Sequence, residues 1–121
     1  MRKGITGIMK IVYVCSPYKG DIGENVKYAQ KCCREIVNNN NIPIAPHLFF
    51  PQFMNEETER KMALEMNKRF IDVCDVVYVF GSNISEGMKF ELDYAKSIGK
   101  EVVYFPNGQI NLDYGENNEY L

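Results

Sequence analysis

The sequence has no tryptophan, only one histidine and no long apolar run. Its longest purely apolar stretches, such as Val76–Phe80, are strand-sized and fall far short of the roughly 20 residues that span a membrane. The four cysteines form no C-x-x-C pair and His47 is the only histidine, so we expect no zinc site. We expect reduced thiols and a cytoplasmic protein, because residues 1–10 contain no apolar segment of the kind that a signal peptide needs.

The charge of the chain is nearly balanced, with fourteen Lys and Arg residues against sixteen Asp and Glu residues and a net charge of −2. A weakly acidic chain without a basic block is poorly suited to polymeric nucleic acid, which is bound through its phosphates. Local binding of one small anion remains open. The length of 121 residues, with 45% hydrophobic and 25% charged residues, is typical of one soluble domain.

Apolar patterns typical of strands and of helices alternate along the chain in the order βαβαβαβ. Short runs rich in β-branched residues predict strands over residues 10–15, 42–50, Val76–Phe80 and Glu101–Phe105. Helical spacing predicts helices over residues 24–38, from Asn55 onward and over residues 86–98. In the second helix, the predicted apolar stripe consists of Met62, Met66, Phe70 and Val73.

Strands that alternate with helices form a parallel sheet with helices on both faces. We therefore expect an α/β fold over residues 10–105: a three-layer sandwich, flavodoxin-like or Rossmann-like, with a parallel sheet of four to five strands. Residues 1–9 are expected to form an N-terminal tail, and residues 106–121 a C-terminal tail or edge segment. Ligands of such sheets bind beyond the carboxyl ends of the strands. This rule nominates the loops after Cys15, around His47 and after Phe80.

The last predicted helix carries a carboxylate on its apolar face. Glu91 lies three residues after Met88 and four before Ala95, so it shares the inward stripe that we expect from Met88, Leu92, Ala95 and Ile98. It lies about one turn from a helix start, where the positive helix end favours an ionised carboxylate. Such a group can attack a sugar carbon or stabilise a cation there. The alternative is a glutamate at the edge of the stripe that only stabilises the helix dipole.

Two loops carry groups suited to a phosphate. The stretch S-P-Y-K-G over residues 16–20 offers a hydroxyl, an ammonium and backbone N–H groups beside a helix start, although an ordinary turn also explains it. In the second loop, Ser85 can cap the helix and Gly87 lets a ligand approach the backbone closely. His47 can contact a ligand or donate a proton, or be structural. Tyr13 faces one side of the sheet, where core packing is its alternative role.

Three motifs together resemble the nucleoside 2-deoxyribosyltransferase superfamily. They are V-Y-V-C-S-P-Y-K-G-D over residues 12–21, C-D-V-V-Y-V-F-G over residues 74–81 and I-S-E-G-M-K-F-E-L-D-Y-A over residues 84–95. More narrowly, the chain resembles a branch of small, uncharacterised phage and bacterial domains of this kind. The form S-x-G-x-x-x-E and the first loop are similar to those of the 2'-deoxynucleoside 5'-phosphate N-hydrolases.

The resemblance implies a role for several residues. Glu91 is implied as the nucleophile that attacks C1' of a deoxyribonucleoside. Ser85 stands where the transferases carry an aspartate, as in the N-hydrolases, and this favours a 5'-monophosphate ligand; Lys19 replaces their arginine. Asn67 aligns with an aspartate that assists protonation of the leaving base, and an amide cannot act as a general acid. Either Asp72 or His47 substitutes for it, or catalysis is slow or absent.

The resulting hypothesis is cleavage of the N-glycosidic bond, or base transfer, on 2'-deoxyribonucleosides or their 5'-monophosphates. Its catalytic residues are Glu91, Asn67 and Tyr13, and neither a cofactor nor a metal is expected. The residues expected to bind the substrate are Ser16, Tyr18, Lys19, Gly20, His47, Ser85, Gly87 and Met88. The alternatives are a nucleotide-binding module without turnover and a purely structural protein.

The expected partner is a small nucleoside or nucleotide, with no polymeric nucleic acid and no membrane. The resemblance also implies a homo-oligomer. The second helix, with Met62 and Met66, and the tail over residues 119–121 are the segments expected to contribute to it.

Overall fold

The computed structural model describes residues 7–110. Predictions for residues 1–6 and 111–121, which include most of both tails, lie outside these residues. The strands are β1 (Ile11–Cys15), β2 (Ile42–Ile44), β3 (Val76–Phe80) and β4 (Glu101–Phe105). The helices are α1 (Ile22–Asn38), the short α2 (Pro46–Phe49), α3 (Arg60–Val73) and α4 (Glu86–Ser97), and a 3₁₀ turn (Phe50–Gln52) follows α2.

The four strands form one parallel sheet in the order β2-β1-β3-β4. The predicted three-layer, flavodoxin-like sandwich is therefore confirmed. Since successive side chains of a strand point to opposite faces, Tyr13 and Cys15 join the core under α3 and α4, while Val12 and Val14 join the core under α1. The chain leaves β1 toward β2 and returns to β3 on the other side, so strand order reverses between β1 and β3, where ligands of such sheets bind.

The second strand is shorter than the sequence predicts. It ends at Ile44, and residues predicted as its continuation form α2 and the 3₁₀ turn instead. Pro46 occupies the first turn of α2, where a missing N–H costs nothing, whereas in a strand it would remove a ladder hydrogen bond. His47 consequently lies on a short helix beyond the strand rather than within the strand exit.

The helix predicted from Asn55 onward is α3, and it begins at Arg60, five residues later than predicted. Asn55 caps a preceding turn instead, since its Oδ1 accepts hydrogen bonds from the backbone N–H groups of Glu57 and Thr58. The Glu59 carboxylate accepts one from the backbone N–H of Asn55 and closes this turn.

The buried face of α3 is also rotated from the predicted stripe. Asn67 and Ile71 are its buried residues, whereas Met62 and Val73 are exposed. Ile98, expected inside on α4, is likewise exposed, because α4 ends at Ser97. Within residues 7–110, no helix combines the length and the apolar character that crossing a membrane requires.

The rotated face of α3 predicts a contrast between two residues that lie two positions apart. Ile71 is fully buried and Val73 is 56% exposed. We expect Ile71→Ala to lower the free energy of unfolding by about 2–5 kcal/mol through lost burial and a residual cavity. Val73→Ala should change it by less than about 0.5 kcal/mol. Urea denaturation of both variants measures the difference, and equal losses would contradict this orientation of the helix.

Candidate active site

A cavity of about 350 Å³ opens at the carboxyl ends of β1 and β3, on the face covered by α3 and α4. It lies where strand order reverses, as expected for a sheet of this kind. Most of the residues predicted from the sequence line it: Ser16, Tyr18, Lys19, His47, Asn67, Ser85, Gly87, Met88 and Glu91. The three loops nominated at the edge of the sheet therefore contribute to a single space.

Glu91 lies at the inner side of this cavity and is held by two donors. The Tyr13 hydroxyl donates a hydrogen bond to its Oε2 at 2.9 Å, and Asn67 Nδ2 donates to the same oxygen at 2.9 Å. Tyr13 comes from the central strand and Asn67 from α3, so three elements position one carboxylate. The helix-stripe prediction that Glu91 faces inward agrees with this geometry.

Burial and hydrogen bonding act in opposite directions on the pKa of Glu91. Burial raises the pKa of this carboxyl because it penalises the charged form. Hydrogen bonds from Tyr13 and Asn67, the nearby Cys15 thiol and the positive charge of Arg60 lower it, and the net shift is upward. Burial also raises the pKa of Tyr13 well above its usual value, as does the nearby Glu91 charge, so the phenol keeps its proton and remains a donor.

Asn67 is buried, with 7% of its surface exposed, and only half of its amide is satisfied. Nδ2 donates to Glu91, but Oδ1 has no hydrogen-bond partner among residues 7–110. A buried, unpaired acceptor costs about 1–3 kcal/mol. The Asn67 amide is thus oriented so that its N–H group binds Glu91, and this orientation leaves its oxygen unpaired among residues 7–110.

The loop after β1 contacts α2 through a serine–histidine pair. Ser16 Oγ and His47 Nε2 lie 2.8 Å apart, and the Tyr18 ring stands edge-on to the imidazole. Burial lowers the pKa of His47 to about 4, so this side chain is neutral at pH 7. Lys19 is exposed at the cavity, whereas Gly20, with φ +101°, shapes the turn and does not line the cavity.

The start of α4 forms a third wall of the cavity. Ser85 caps the helix, since its Oγ accepts a hydrogen bond from the Met88 N–H at 3.2 Å. Gly87 lies against the Arg60 side chain: a Cβ atom on residue 87 would be 2.5 Å from Arg60 Nη2. The missing side chain of Gly87 is therefore replaced by a guanidinium group.

Arg60 and Glu56 are cavity residues that the sequence analysis did not identify. Arg60 Nη1 lies 3.5 Å from Glu56 Oε1. Neither residue belongs to a motif. Glu56 falls in the first turn of the helix predicted from Asn55 onward, where a glutamate is usually exposed to solvent. Gly87, an unusual residue in the first turn of a helix, indicates that another group lies close to the backbone there. The sequence alone does not show that this group is Arg60.

Asp72, considered as a replacement acid, lies outside the cavity lining. Its carboxylate accepts a hydrogen bond from the Tyr94 hydroxyl and pairs with Arg69 at 3.3 Å. It lies near the C-terminal end of α3, which leads into the amino end of β3 on the opposite edge of the sheet. Asp72 therefore cannot protonate a base in this cavity.

The polar groups of the cavity can bind an organic ligand through hydrogen bonds and through two cations. Lys19 and Arg60 supply the positive charge, the hydroxyl groups belong to Ser16, Tyr18 and Ser85, and the carboxylates are Glu56, Glu86 and Glu91. Within residues 7–110, no group of three or more His, Cys, Asp or Glu side chains is placed to hold a metal ion.

Comparison with known proteins identifies the fold. A family model described as a domain of unknown function, DUF7768, matches residues 10–105, and no curated protein matches the sequence. The structure resembles that of a 2-deoxyribosyltransferase from Bacillus psychrosaccharolyticus, with a TM-score of 0.63 and 23% identity over 88% of this chain and 80% of that chain. It also resembles a 2-desoxiribosyltransferase from Leishmania mexicana, with a TM-score of 0.57 and 24% identity.

These similarities confirm a nucleoside 2-deoxyribosyltransferase-like fold. The match to the Leishmania mexicana protein covers 79% of this chain and 63% of that chain. At such identities the likeness concerns the fold alone.

The burial of His47 predicts an unusual titration. Nuclear magnetic resonance of tag-free protein should show the single imidazole titrating near pH 4, well below the ordinary 6.5. Between these values the unfolded chain binds a proton that the folded chain does not. His47 alone therefore lowers the free energy of unfolding by about 1.4 kcal/mol per pH unit as the pH falls. The raised pKa of Glu91 has the opposite effect on the free energy of unfolding as the pH falls. The resonance of the imidazole is therefore a more direct measurement than the stability of the protein. A midpoint near 6.5 would show that the imidazole is solvated.

Proposed function

We propose that this chain, which belongs to the DUF7768 family of domains of unknown function, cleaves or transfers the base at the N-glycosidic bond of 2'-deoxyribonucleosides or their 5'-monophosphates. The observation that carries the proposal is the Glu91 carboxylate, held by Tyr13 and Asn67 at the inner side of an open cavity. The fold shared with proteins named as 2-deoxyribosyltransferases supports it.

Glu91 supplies the nucleophile. Its carboxylate attacks C1' of the sugar, the bond from C1' to the base nitrogen breaks, and the departing base takes the bonding electrons. Tyr13 and Asn67 both bind Oε2, which leaves Oε1 to meet the sugar carbon. Water then attacks C1' in hydrolysis, or a second base attacks it in transfer, and Glu91 is released as a carboxylate.

The surrounding residues hold the substrate. Ser16 and Ser85 carry hydroxyl groups at the cavity, and Lys19 supplies a positive charge. His47 is neutral and acts as a hydrogen-bonding partner of Ser16 rather than as a cation. Gly87 and Met88 bring the backbone of α4 close to the sugar.

Departure of the base is the demanding step in this cavity. Asn67 has no acidic proton, and the pKa of His47, near 4, leaves almost no imidazolium at pH 7. These facts favour slow turnover, and they also motivate the second candidate function, a nucleotide-binding module that uses the same cavity without catalysis. A thermal shift with deoxynucleoside monophosphates, without free base, would identify the second function.

The homo-oligomer implied by the family resemblance stays a prediction. Met62 on α3 is 56% exposed, and Phe49 and Phe53 near the cavity are 53% and 63% exposed, so apolar surface is present. Met66, the other helical residue named for this role, is partly buried. Residues 119–121 lie outside the described part of the chain.

Replacement of the nucleophile tests the proposed reaction. Glu91→Gln keeps the size of the side chain and removes its charge, and Glu91→Ala removes the group altogether. We expect both to lower base release from a deoxynucleoside and deoxynucleotide panel by about 10³-fold or more, measured by chromatography of the free base. Asp93→Asn is the matched control, because Asp93 is exposed on the same helix and pairs with Lys89. Wild-type rates in the Glu91 variants, with folding verified by circular dichroism, would refute the assignment.

Asn67→Asp tests the missing proton donor. A carboxyl at position 67 would lie close to Glu91, and two such groups share a proton because both cannot ionise easily. We expect faster base release, by about 10²-fold, with a new loss of activity at high pH as the shared proton departs. An unchanged rate across the pH range would mean that protonation at this position does not limit the reaction.

A further inference from the structure

We propose that Arg60, lying against Gly87, is the residue that recognises the phosphate group of a nucleoside 5'-monophosphate in this cavity. The proposal rests on the nucleotide site proposed above and selects the phosphorylated form of the substrate over the free nucleoside. It assigns a function to a side chain that no sequence motif includes, and it explains the glycine in the first turn of α4.

The first observation is the space that Gly87 leaves. Glycine destabilises a helix relative to alanine, so its presence at this point needs a reason. A Cβ atom added at Gly87 would lie 3.7 Å from Arg60 Cζ but only 2.5 Å from Arg60 Nη2. The second distance is too short for two non-bonded atoms, so the guanidinium would have to move. The absence of a side chain at Gly87 thus leaves room for the Arg60 guanidinium at the wall of the cavity.

The second observation is that the protein engages little of this guanidinium. Its five N–H donors have a single described partner, Glu56 Oε1, at 3.5 Å, and 30% of the side chain is exposed, so the remaining donors are available to a ligand. A planar guanidinium matches two oxygen atoms of a phosphate at once, which a lysine ammonium does not. A phosphate can therefore replace the long contact to Glu56 with two charge-assisted hydrogen bonds.

The third observation is the position of Arg60 relative to the reacting group. Gly87 precedes Glu91 by four residues, which is about 6 Å along a helix and comparable with the span of a deoxyribose 5'-phosphate. Arg60 is also near enough for its charge to act on the pKa of Glu91. A sugar whose C1' meets Glu91 can therefore extend its 5' end toward Arg60.

The charges of the cavity give Arg60 a further role. The carboxylates Glu56, Glu86 and Glu91 line the cavity and repel a phosphate, while the cations in the lining are Lys19 and Arg60. Lys19 is exposed in the first loop, so screening by solvent weakens it. Arg60, held on a helix against backbone, is the more strongly oriented of the two.

Binding measurements test the proposal without requiring turnover. Isothermal titration calorimetry with the four 2'-deoxynucleoside 5'-monophosphates, the matching nucleosides and inorganic phosphate is carried out on wild type and three variants. Arg60→Met should weaken binding of a monophosphate by about 10–100-fold and leave nucleoside binding unchanged, because charge-assisted hydrogen bonds to the phosphate are lost. Gly87→Ala should weaken the monophosphate as well, although it removes no charge, because it displaces the guanidinium.

The control is Arg69→Met, on the exposed side of the same helix, where the arginine pairs with Asp72. It should bind monophosphates as wild type does. Wild-type affinity for monophosphates in both Arg60→Met and Gly87→Ala would overturn the proposal, as would an equal loss for nucleosides or a wild type that binds no monophosphate. Phosphate-specific loss without any base release would support the role of Arg60 while refuting the proposed reaction.

Discussion

The site depends on one costly arrangement, a carboxylate that is partly buried at the rim of a parallel sheet. Burial favours the neutral form of Glu91, and hydrogen-bond donors fixed by the surrounding fold oppose it, together with the positive charge of Arg60. Tyr13 and Asn67 supply two such donors to the same oxygen, at 2.9 Å each. A carboxylate in this position lowers the stability of the fold. The adjoining cavity supports the catalytic role proposed for it.

The fold assembles these donors through the register of its central strands. Tyr13 faces α3 and α4 because it alternates with Val12 and Val14, and β1 is buried between β2 and β3. A shift of one residue in β1 would turn Tyr13 to the opposite face and replace it with an aliphatic side chain. The position of the phenol is therefore determined by the pairing of the whole sheet, with Tyr13 opposite Val77.

How much the sequence reveals depends on how far apart the interacting residues are. The inward position of Glu91 follows from its spacing to Met88 and Ala95, because helix periodicity is local. The central strands follow from their β-branched runs. The start of α3 does not, since the Asn55 cap suits a helix and a turn equally well. The contact of Arg60 with Gly87 joins two helices 27 residues apart in the chain, and no local pattern encodes it.

Asn67 shows how the same residue both limits and supports the chemistry. An amide cannot give a proton to a departing base, which an aspartate would do. An aspartate would, however, compete with Glu91 for that proton and raise its pKa further, whereas the amide N–H stabilises the charged carboxylate. This support leaves the buried Oδ1 of Asn67 without a hydrogen-bond partner in the part of the chain that the structure describes. In the reaction proposed above, Asn67 thus favours the charged form of Glu91 but gives no proton to the departing base, and this favours slow turnover.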